Sequence, residues 1–405
     1  MTPGSGPPPL VCTTEPLEAA PDLLAHLPET GGIAWIRHGV GFVGWGEAAR
    51  IAAGTGPDRF GQAAGALARL FEKAEITNAV GGWGTGPLAF GSFTFDPDSL
   101  GSALTIPETL IAWAGGRAWV TRCSGPATGN PQPPAPTPAS PGLDNRAFTH
   151  AVTDARTAIR AGGLDKVVLS LQTEVIGPHD FSVPGVVRRL AGAYPDCYAF
   201  ALGSFVGASP ELLVRREGTA ICSVPLAGTA RRGSTPAEDE ALGAALLASR
   251  KDRWEHDLAV VTVVESLRPL CARLRIDPEP WLLRLANVQH LATQVTGQLA
   301  GAQTALEIAG AVHPSAAVCG TPTRKALAVI RQLEGAHRGR YAGPVGWVGA
   351  DGDGEWAIAL RCGELQGGRA RLYAGAGIVA ESDPDAELEE ALLKLRPVLS
   401  ALDLA

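Results

Sequence analysis

The feature that most constrains this chain is the Pro-rich segment at residues 125–142, GPATGNPQPPAPTPASPG. Proline fixes its own φ and has no backbone N–H, so such a run neither continues a helix nor fits the interior of a sheet. Most of its other residues are small or polar and offer little to pack. The segment therefore predicts a surface linker that divides the chain into residues 1–142 and 143–405.

The part before the linker predicts β structure. Residues 31–37 and 40–45 are short segments rich in β-branched and aromatic residues, and glycines flank them. This pattern is typical of strands. No dense cluster of catalytic residue types occurs here, so we interpret residues 1–142 as a β-rich region that ends in the linker.

The part after the linker mixes helices with strands. Apolar residues recur at helical spacing over 144–161, a β-branched run begins at Lys166, and glycine-punctuated strands fill 341–379. A capping box with Pro at the first helical position, Thr235-Pro-Ala-Glu238, predicts one long helix reaching at least Leu267. A last helix is expected over about 385–399. Because helices and strands alternate irregularly, an α+β architecture is favoured over a doubly wound parallel sheet.

Charge and cysteine usage exclude several function classes. The formal net charge is -7 and no Lys/Arg-rich run is present, so we expect no nucleic-acid partner. An anionic substrate would need a few placed cations or a metal ion. The seven cysteines are scattered without a C-x-x-C pair, which indicates buried thiols in a reducing cytoplasm. No signal peptide and no 18-residue apolar stretch is found, so neither export nor membrane insertion is expected.

Two further patterns could carry chemistry. Glu387 and Glu390 are three residues apart on the last predicted helix, which places both carboxylates on one side, and such a pair can hold Mg²⁺. A solvated helix face explains the same spacing, so spacing alone does not decide. The glycines of residues 374–379 lack the third Gly and the helix of a dinucleotide fingerprint. They instead predict backbone N–H groups that approach a ligand closely.

Motifs spread from about residue 144 to residue 399 resemble the chorismate-utilising enzymes, a family that includes isochorismate, salicylate, anthranilate and aminodeoxychorismate synthases. The motifs are KVVLS (166–170), ASPELL (208–213), PLAGT (225–229), KDRWEH (251–256), QHL (289–291), AVCGTP (317–322), RGRYAGPVGW (338–347), ALR (359–361) and AGAGIV (374–379), followed by Glu387, Glu390 and Lys394. The resemblance implies the aminodeoxychorismate synthase-like fold. In that fold, two orthogonally packed antiparallel sheets are flanked by helices, with the active site in a cleft between them.

The same resemblance implies roles for individual residues. Lys166 would be the general base and Glu211 the general acid. Glu255 and Glu387 would hold Mg²⁺ with Glu390 close by, and the ion would bind the ring carboxylate of chorismate.

Substrate contacts are implied in the same way. Arg361 and Tyr341 match positions that bind the enolpyruvyl carboxylate, and a guanidinium suits a carboxylate because it donates two parallel hydrogen bonds. The remaining positions that would complete the pocket are Gly228, Thr229, His290, Lys394 and the amides of Gly375 and Gly377.

Two positions indicate which reaction to expect. Relatives that use water carry a lysine at the position of Lys166, whereas the nucleophilic lysine of aminodeoxychorismate synthases is replaced here by Ala227. We therefore predict an isochorismate synthase, an isomerase in which water adds at C2 of chorismate and Glu211 protonates the hydroxyl leaving C4. Burial would disfavour the charged form of both catalytic groups. The product would serve menaquinone or catechol siderophore biosynthesis.

Two alternatives stay open. A salicylate synthase uses the same lysine and glutamate and then eliminates pyruvate, although the ASPELL and AVCGTP motifs and the segment near Trp45 look more like stand-alone isochorismate synthases. A catalytically silent chorismate-binding module would keep the pocket without the chemistry. No amidotransferase segment is present, so we expect no ammonia-supplying partner. We also expect a cytoplasmic protein, and a monomer because relatives of this kind are often monomers. The chain departs from its relatives at Leu171, where Arg is usual, and at Ala391, where Thr is common.

Overall fold

Antiparallel strands form most of the regular structure in the computed structural model, which describes residues 8–125 and 142–404. The strands are β1 (Val11–Leu17), β2 (Ile33–Arg37), β3 (Val40–Trp45), β4 (Ala49–Ala52), β5 (Glu75–Asn78), β6 (Leu88–Ser92), β7 (Ala103–Ile106), β8 (Thr109–Ala114), β9 (Arg117–Ser124), β10 (Lys166–Ile176), β11 (Tyr198–Leu202), β12 (Phe205–Ser209), β13 (Leu212–Glu217), β14 (Ala220–Val224), β15 (Leu226–Arg231), β16 (Cys271–Ile276), β17 (Trp281–Arg284), β18 (Val288–Ala292), β19 (Val295–Leu299), β20 (Gly320–Thr321), β21 (Pro344–Gly349), β22 (Gly354–Ile358), β23 (Cys362–Gln366) and β24 (Arg369–Ile378). The strands predicted over 31–37 and 40–45 are β2 and β3.

The helices begin at capping side chains in most cases. They are α1 (Arg59–Glu72), α2 (Asn145–Arg160), α3 (Val183–Ala193), α4 (Pro236–Ala248), α5 (Arg250–Leu267), α6 (Ala305–Val312), α7 (Thr323–Glu334) and α8 (Pro384–Ala401), with short 3-10 turns at Leu23–His26 and Arg268–Leu270. The Asp144 carboxylate accepts the N–H of Ala147 at the start of α2, and Asp383 caps α8 in the same way. Each cap satisfies N–H groups that have no partner within the helix.

The strands form a twelve-stranded sheet, a nine-stranded sheet and a small sheet of β15, β18 and β17. Neighbouring strands are antiparallel except for the pair β1 and β5. The predicted α+β class with two large antiparallel sheets is confirmed. Strands from both sides of residue 143 lie in both large sheets: β2 pairs with β11, and β6 pairs with β21. The predicted linker lies almost entirely in residues 126–141, outside the described ones.

The single long helix predicted from Thr235 is wrong, because Ser249 divides it into α4 and α5. Ser249 has an extended backbone, with φ -67° and ψ 116°, and its hydroxyl accepts the N–H of Asp252 to cap α5. The cap predicted at Thr235 is present, since its hydroxyl accepts the Glu238 N–H. The Glu238 carboxylate, however, bonds to Ser234 rather than back to Thr235.

The expectation that every cysteine is a free thiol is also corrected. Cys12 and Cys123 lie directly opposite each other on β1 and β9 and form a disulfide, with Cα atoms 4.2 Å apart. Sequence spacing gave no sign of the pair, because 111 residues separate the two cysteines. Among the described residues, no helix has the length and apolar character needed to cross a membrane.

Candidate active site

A cleft enclosing about 590 Å³ of space, part of it open to solvent, gathers residues from distant parts of the sequence. Its walls come from β10 and β24 of the large sheet, from β15 and β18 of the small sheet, and from α5 and α8. The predicted site residues that line it are Glu211, Gly228, Thr229, Glu255, His290, Tyr341, Arg361, Gly375, Gly377 and Lys394. The motifs that resembled one family in sequence therefore converge on one cavity.

Glu211 lies between Pro210 and the first residue of β13, and it is buried with 4% exposure. The Leu226 N–H donates to Glu211 Oε1 at 3.4 Å, and the Ser209 hydroxyl accepts the Glu211 N–H. Burial raises the pKa of Glu211 to about 7, although the Leu226 N–H and the charges of Lys166 and Arg361 lower it in part. A carboxyl group with such a pKa can donate a proton near neutral pH.

Arg361 supplies positive charge to the cleft. It lies in the turn between β22 and β23 with φ at 47°, a left-handed backbone conformation that is uncommon for a residue with a side chain. Its Nη2 donates to His290 Nε2 at 3.1 Å. None of its guanidinium nitrogens pairs with a carboxylate among the described residues. A buried guanidinium without an anionic partner is suited to bind an anion.

The His290 ring is neutral and donates a hydrogen bond from one of its two nitrogens. Because Nε2 accepts from Arg361, the ring proton belongs on Nδ1, which lies 3.2 Å from the carbonyl oxygen of Gly228. Burial first, and then the charges of Arg361 and Lys394, lower the pKa of His290 well below its usual value. Gly228 sits at a bulge of β15 with φ at 72°, where glycine is favoured.

Tyr341, Gly375 and Lys394 form another wall. The Tyr341 ring stacks on Tyr373 with centroids 5.2 Å apart, and burial raises the pKa of the Tyr341 hydroxyl, which keeps it a donor. Lys394 Nζ donates to the Gly375 carbonyl oxygen at 3.1 Å and to Glu390 Oε1 at 2.5 Å. A Cβ at Gly375 would lie 2.9 Å from the Tyr341 hydroxyl oxygen, so glycine is required for this packing.

Lys166 is the first residue of β10 and its side chain is fully buried behind the cavity wall. Its Nζ lies 3.0 Å from Glu255 Oε1, an ion-pair contact whose angles do not make a hydrogen bond, so the ammonium has no hydrogen-bond acceptor among the described residues. A Cβ at Gly377 would lie 2.1 Å from Glu255 Oε1 and 2.9 Å from Lys166 Cε. Gly377 therefore makes room for both side chains where the strand meets the cavity.

Glu387 and Glu390 of α8 are not the ordinary surface acids that their spacing allowed, whereas Asp385 and Glu389 of the same helix are exposed. Glu387 is 3% exposed, and its Oε1 accepts from Lys251 Nζ at 2.8 Å. Burial and the nearby charge of Glu390 raise the pKa of Glu387. Burial would also raise the pKa of Glu390, but its ion pair with Lys394 and the nearby charge of Lys251 outweigh burial and hold the pKa below its usual value.

The chemistry of this donor set fits a hard cation such as Mg²⁺, which prefers carboxylate oxygens. Burial opposes the charge of Lys251, yet Glu387, Glu255 and Glu390 together raise its pKa, so one ammonium already interacts with all three carboxylates. As the side chains are arranged, however, the described residues contain no cluster of three or more His, Cys, Asp or Glu ready to hold a metal. Lys251 is the site residue that sequence reasoning missed, although it opens the KDRWEH motif.

The two departures from the family pattern lie outside the cavity. Leu171 is fully buried and pairs with Ala374 of β24, and alternation along β10 turns it to the face opposite Val168, which lines the cleft. Ala391 is also fully buried, on α8 next to Glu390. Both positions are occupied by core residues.

Comparison with known proteins points in the same direction. The sequence family described as chorismate binding enzyme matches residues 125–403. The chain is 36% identical to isochorismate synthase DhbC of Bacillus subtilis (strain 168) over 328 residues, which cover 78% of this chain and 81% of that protein. It is 35% identical to the vibriobactin-specific isochorismate synthase of Vibrio cholerae over 325 residues, or 78% and 79% of the two proteins.

A solved structure shares the fold over almost the whole chain. The menaquinone-specific isochorismate synthase MenF of Escherichia coli superposes with a TM-score of 0.79 at 26% identity. The match covers 98% of this chain and 95% of that one. Residues before the linker, which the family match leaves out, therefore also have counterparts in that structure.

Proposed function

Because this chain belongs to the chorismate-binding enzyme family, we propose that it is an isochorismate synthase, an isomerase that converts chorismate to isochorismate. The observation that carries the proposal is a single cavity lined by a protonatable buried carboxyl group, Glu211, and by the guanidinium of Arg361, which has no carboxylate partner in the described structure. Chorismate carries two carboxylates and a leaving hydroxyl. Those groups match an anion site and a general acid.

Substrate binding follows from the cations and donors of the cleft. Arg361 would bind the enolpyruvyl carboxylate with two parallel hydrogen bonds, and the Tyr341 hydroxyl would add a third. His290, neutral and hydrogen-bonded to Gly228, fixes the guanidinium of Arg361 from the side. These local charges would overcome the repulsion that a net charge of -7 exerts on an anionic substrate.

The reaction needs a base and an acid acting at different ring carbons. Lys166 would take a proton from a water molecule whose oxygen bonds to C2. The two ring double bonds shift, the C4–O bond breaks, and Glu211 gives its proton to the departing hydroxyl. One water enters and one leaves, so the net change is an isomerisation. Each proton transfer would contribute typically ~10²–10⁴-fold to the rate.

Glu255, Glu387 and Glu390 would hold Mg²⁺ through their carboxylate oxygens. When bound, the ion would neutralise and orient the ring carboxylate of chorismate. Glu255 belongs both to this set and to the ion pair with Lys166. The chain therefore links its proposed metal ligands directly to its proposed base.

A product assay tests this function. The purified protein is incubated with chorismate, with and without Mg²⁺, and the products are separated by chromatography. We expect isochorismate only with Mg²⁺. Salicylate fluorescence would instead identify pyruvate elimination, and measurable chorismate binding without any product would indicate a silent binding module. Genomic neighbours would then separate the menaquinone from the siderophore pathway.

Replacing Arg361 by Lys is expected to raise KM for chorismate about 10- to 100-fold, with a smaller change in kcat. The ammonium of lysine makes a single-point contact and cannot donate the two parallel hydrogen bonds of a guanidinium. Each charge-assisted hydrogen bond contributes about 1.5–3 kcal/mol to binding. Steady-state kinetics measures the change. An unchanged KM would remove Arg361 from the substrate site.

The Glu211 carboxyl is expected to titrate near pH 7, because burial raises its pKa. Infrared difference spectra should show a protonated carboxyl band that is lost as the pH rises through about 7 and is absent from the Glu211→Gln variant. Because folding raises the pKa of Glu211, the proton bound to it contributes to the free energy of unfolding. That contribution is fully present below the pKa of Glu211 in the unfolded chain and is lost as the pH rises through about 7. A wild-type spectrum without that band at pH 6 would contradict the assignment.

A further inference from the structure

The strand that carries Lys166 is covered unevenly along its two edges. β24 pairs with β10 from Val167 to Ile176, but on the other edge β20 has only two residues and pairs with Lys166 and Val167. The Val168 N–H still donates to the carbonyl oxygen of Cys319. Beyond this point no strand of the described residues continues along that edge. The Val168 carbonyl and the Ser170 N–H therefore need other partners.

A buried ion pair binds both of these backbone groups. Arg338 Nη2 donates to the Val168 carbonyl oxygen at 2.6 Å, and Glu334 Oε1 accepts the Ser170 N–H at 2.8 Å. The two side chains are 2% and 3% exposed and are joined by a forked contact, with Arg338 Nε 2.9 Å from Glu334 Oε2. The pair thus takes the place of a neighbouring strand for one carbonyl and one N–H.

The same guanidinium is tied to a second piece of the cavity wall. Arg338 Nη1 donates to the Val318 carbonyl oxygen at 2.9 Å, and the guanidinium lies over the Phe95 ring at 4.2 Å from its centroid. Val168 and Val318 both line the cleft, and Val168 is two residues from Lys166. The ion pair therefore reaches the site through two backbone carbonyls without lining the cleft itself.

The energetics favour a role in geometry over one in stability. A buried ion pair adds little net stability, since removing two charges from water offsets their attraction. Here each charge also binds backbone at the strand that begins with the proposed base. We propose that Glu334 and Arg338 are positioning residues that hold β10, and through it Lys166, in the geometry that the reaction needs. This inference rests on the proposed function.

The first test is the kinetics of Arg338→Lys, which keeps the charge but cannot reach Val168, Val318 and Glu334 together. We expect kcat to fall about 10- to 100-fold, because a displacement of about 1 Å can cost that much, while KM for chorismate changes less than about threefold. Arg331→Lys is the matched control: Arg331 lies on α7, the helix that ends at Glu334, and forms a forked pair with Asp96. A kcat within about twofold of that control, or a rise in KM alone, would overturn the inference.

The second test needs no activity. Amide hydrogen exchange of peptides within residues 166–176 should be faster in Arg338→Lys than in the wild type and unchanged in Arg331→Lys. If Arg338→Lys does not fold, the neutral double variant Glu334→Gln/Arg338→Gln, which leaves no unpaired buried charge, replaces it in both tests. Unchanged exchange in β10 would contradict the inference, and failure of both variants to fold would make the pair structural. A wild type that makes no isochorismate would refute the proposed function alone, since the exchange comparison still reports on β10.

Discussion

Replacing Lys166 by Met is expected to lower kcat by roughly 10²- to 10⁴-fold while the protein still binds chorismate. Methionine fills much of the space of the fully buried lysine but cannot take a proton from water. The substrate contacts predicted for Arg361 and Tyr341 do not involve β10. Steady-state kinetics gives kcat, and calorimetric titration with chorismate gives the binding constant.

Two measurements keep this test specific for the base. The variant leaves Glu255 without its ion pair, so thermal unfolding must be recorded beside the kinetics. Lys325→Met, at an exposed lysine of α7, is the control for the loss of a lysine and should retain kcat. Full activity of Lys166→Met would remove Lys166 from the mechanism.

Replacing Glu211 by Gln should also lower kcat by roughly 10²- to 10⁴-fold, because glutamine keeps the shape but cannot donate the proton that the hydroxyl needs to leave. The amide oxygen can still accept the Leu226 N–H, so the local structure should persist. The loss is therefore expected in kcat more than in KM. Rapid quenching followed by chromatography measures the chemical step directly.

Glu355→Gln is the matched control for that variant. Glu355 is a second buried carboxyl group with a pKa raised by burial, and it accepts a hydrogen bond from Trp35 Nε1 at 2.9 Å, but it does not line the cleft. Neutralising it removes a buried charge without touching the proposed acid, and kcat should stay near the wild-type value. Equal losses of kcat in the two variants would show that the effect is structural. That result would contradict the role of Glu211 as the general acid.

Local signals in the sequence were enough for several elements. Helical spacing over 144–161 predicted α2 within one residue at each end, and the last helix predicted over 385–399 matches α8 within two residues at each end. These features depend on side chains within one or two turns, so they can be read along the chain. The break at Ser249 was not predicted, because a single residue with an extended backbone interrupts an otherwise continuous helical pattern.

The apolar positions around Glu255 show a second limit of local patterns. Trp254, Leu258 and Val261 are spaced as one face of a helix, yet Trp254 is 55% exposed and Val261 is also exposed. The buried face of α5 runs instead through His256, Ala259 and Val263. Helical periodicity identified the helix, but the neighbours that pack against it decided which face is buried.

The sequence alone determined the α+β class, the bounds of several elements and ten of the residues that line the cavity, because helix and strand patterns and the ordered motifs of one family can all be read along the chain. Tertiary structure decided which charges meet. Lys166 lies against Glu255, Lys251 against Glu387, and Arg338 against the edge of β10, through contacts between residues 89, 136 and 170 positions apart. No local pattern encodes such pairs, since they arise only when separate strands and helices pack. The cross-strand pair Cys12–Cys123 was hidden for the same reason.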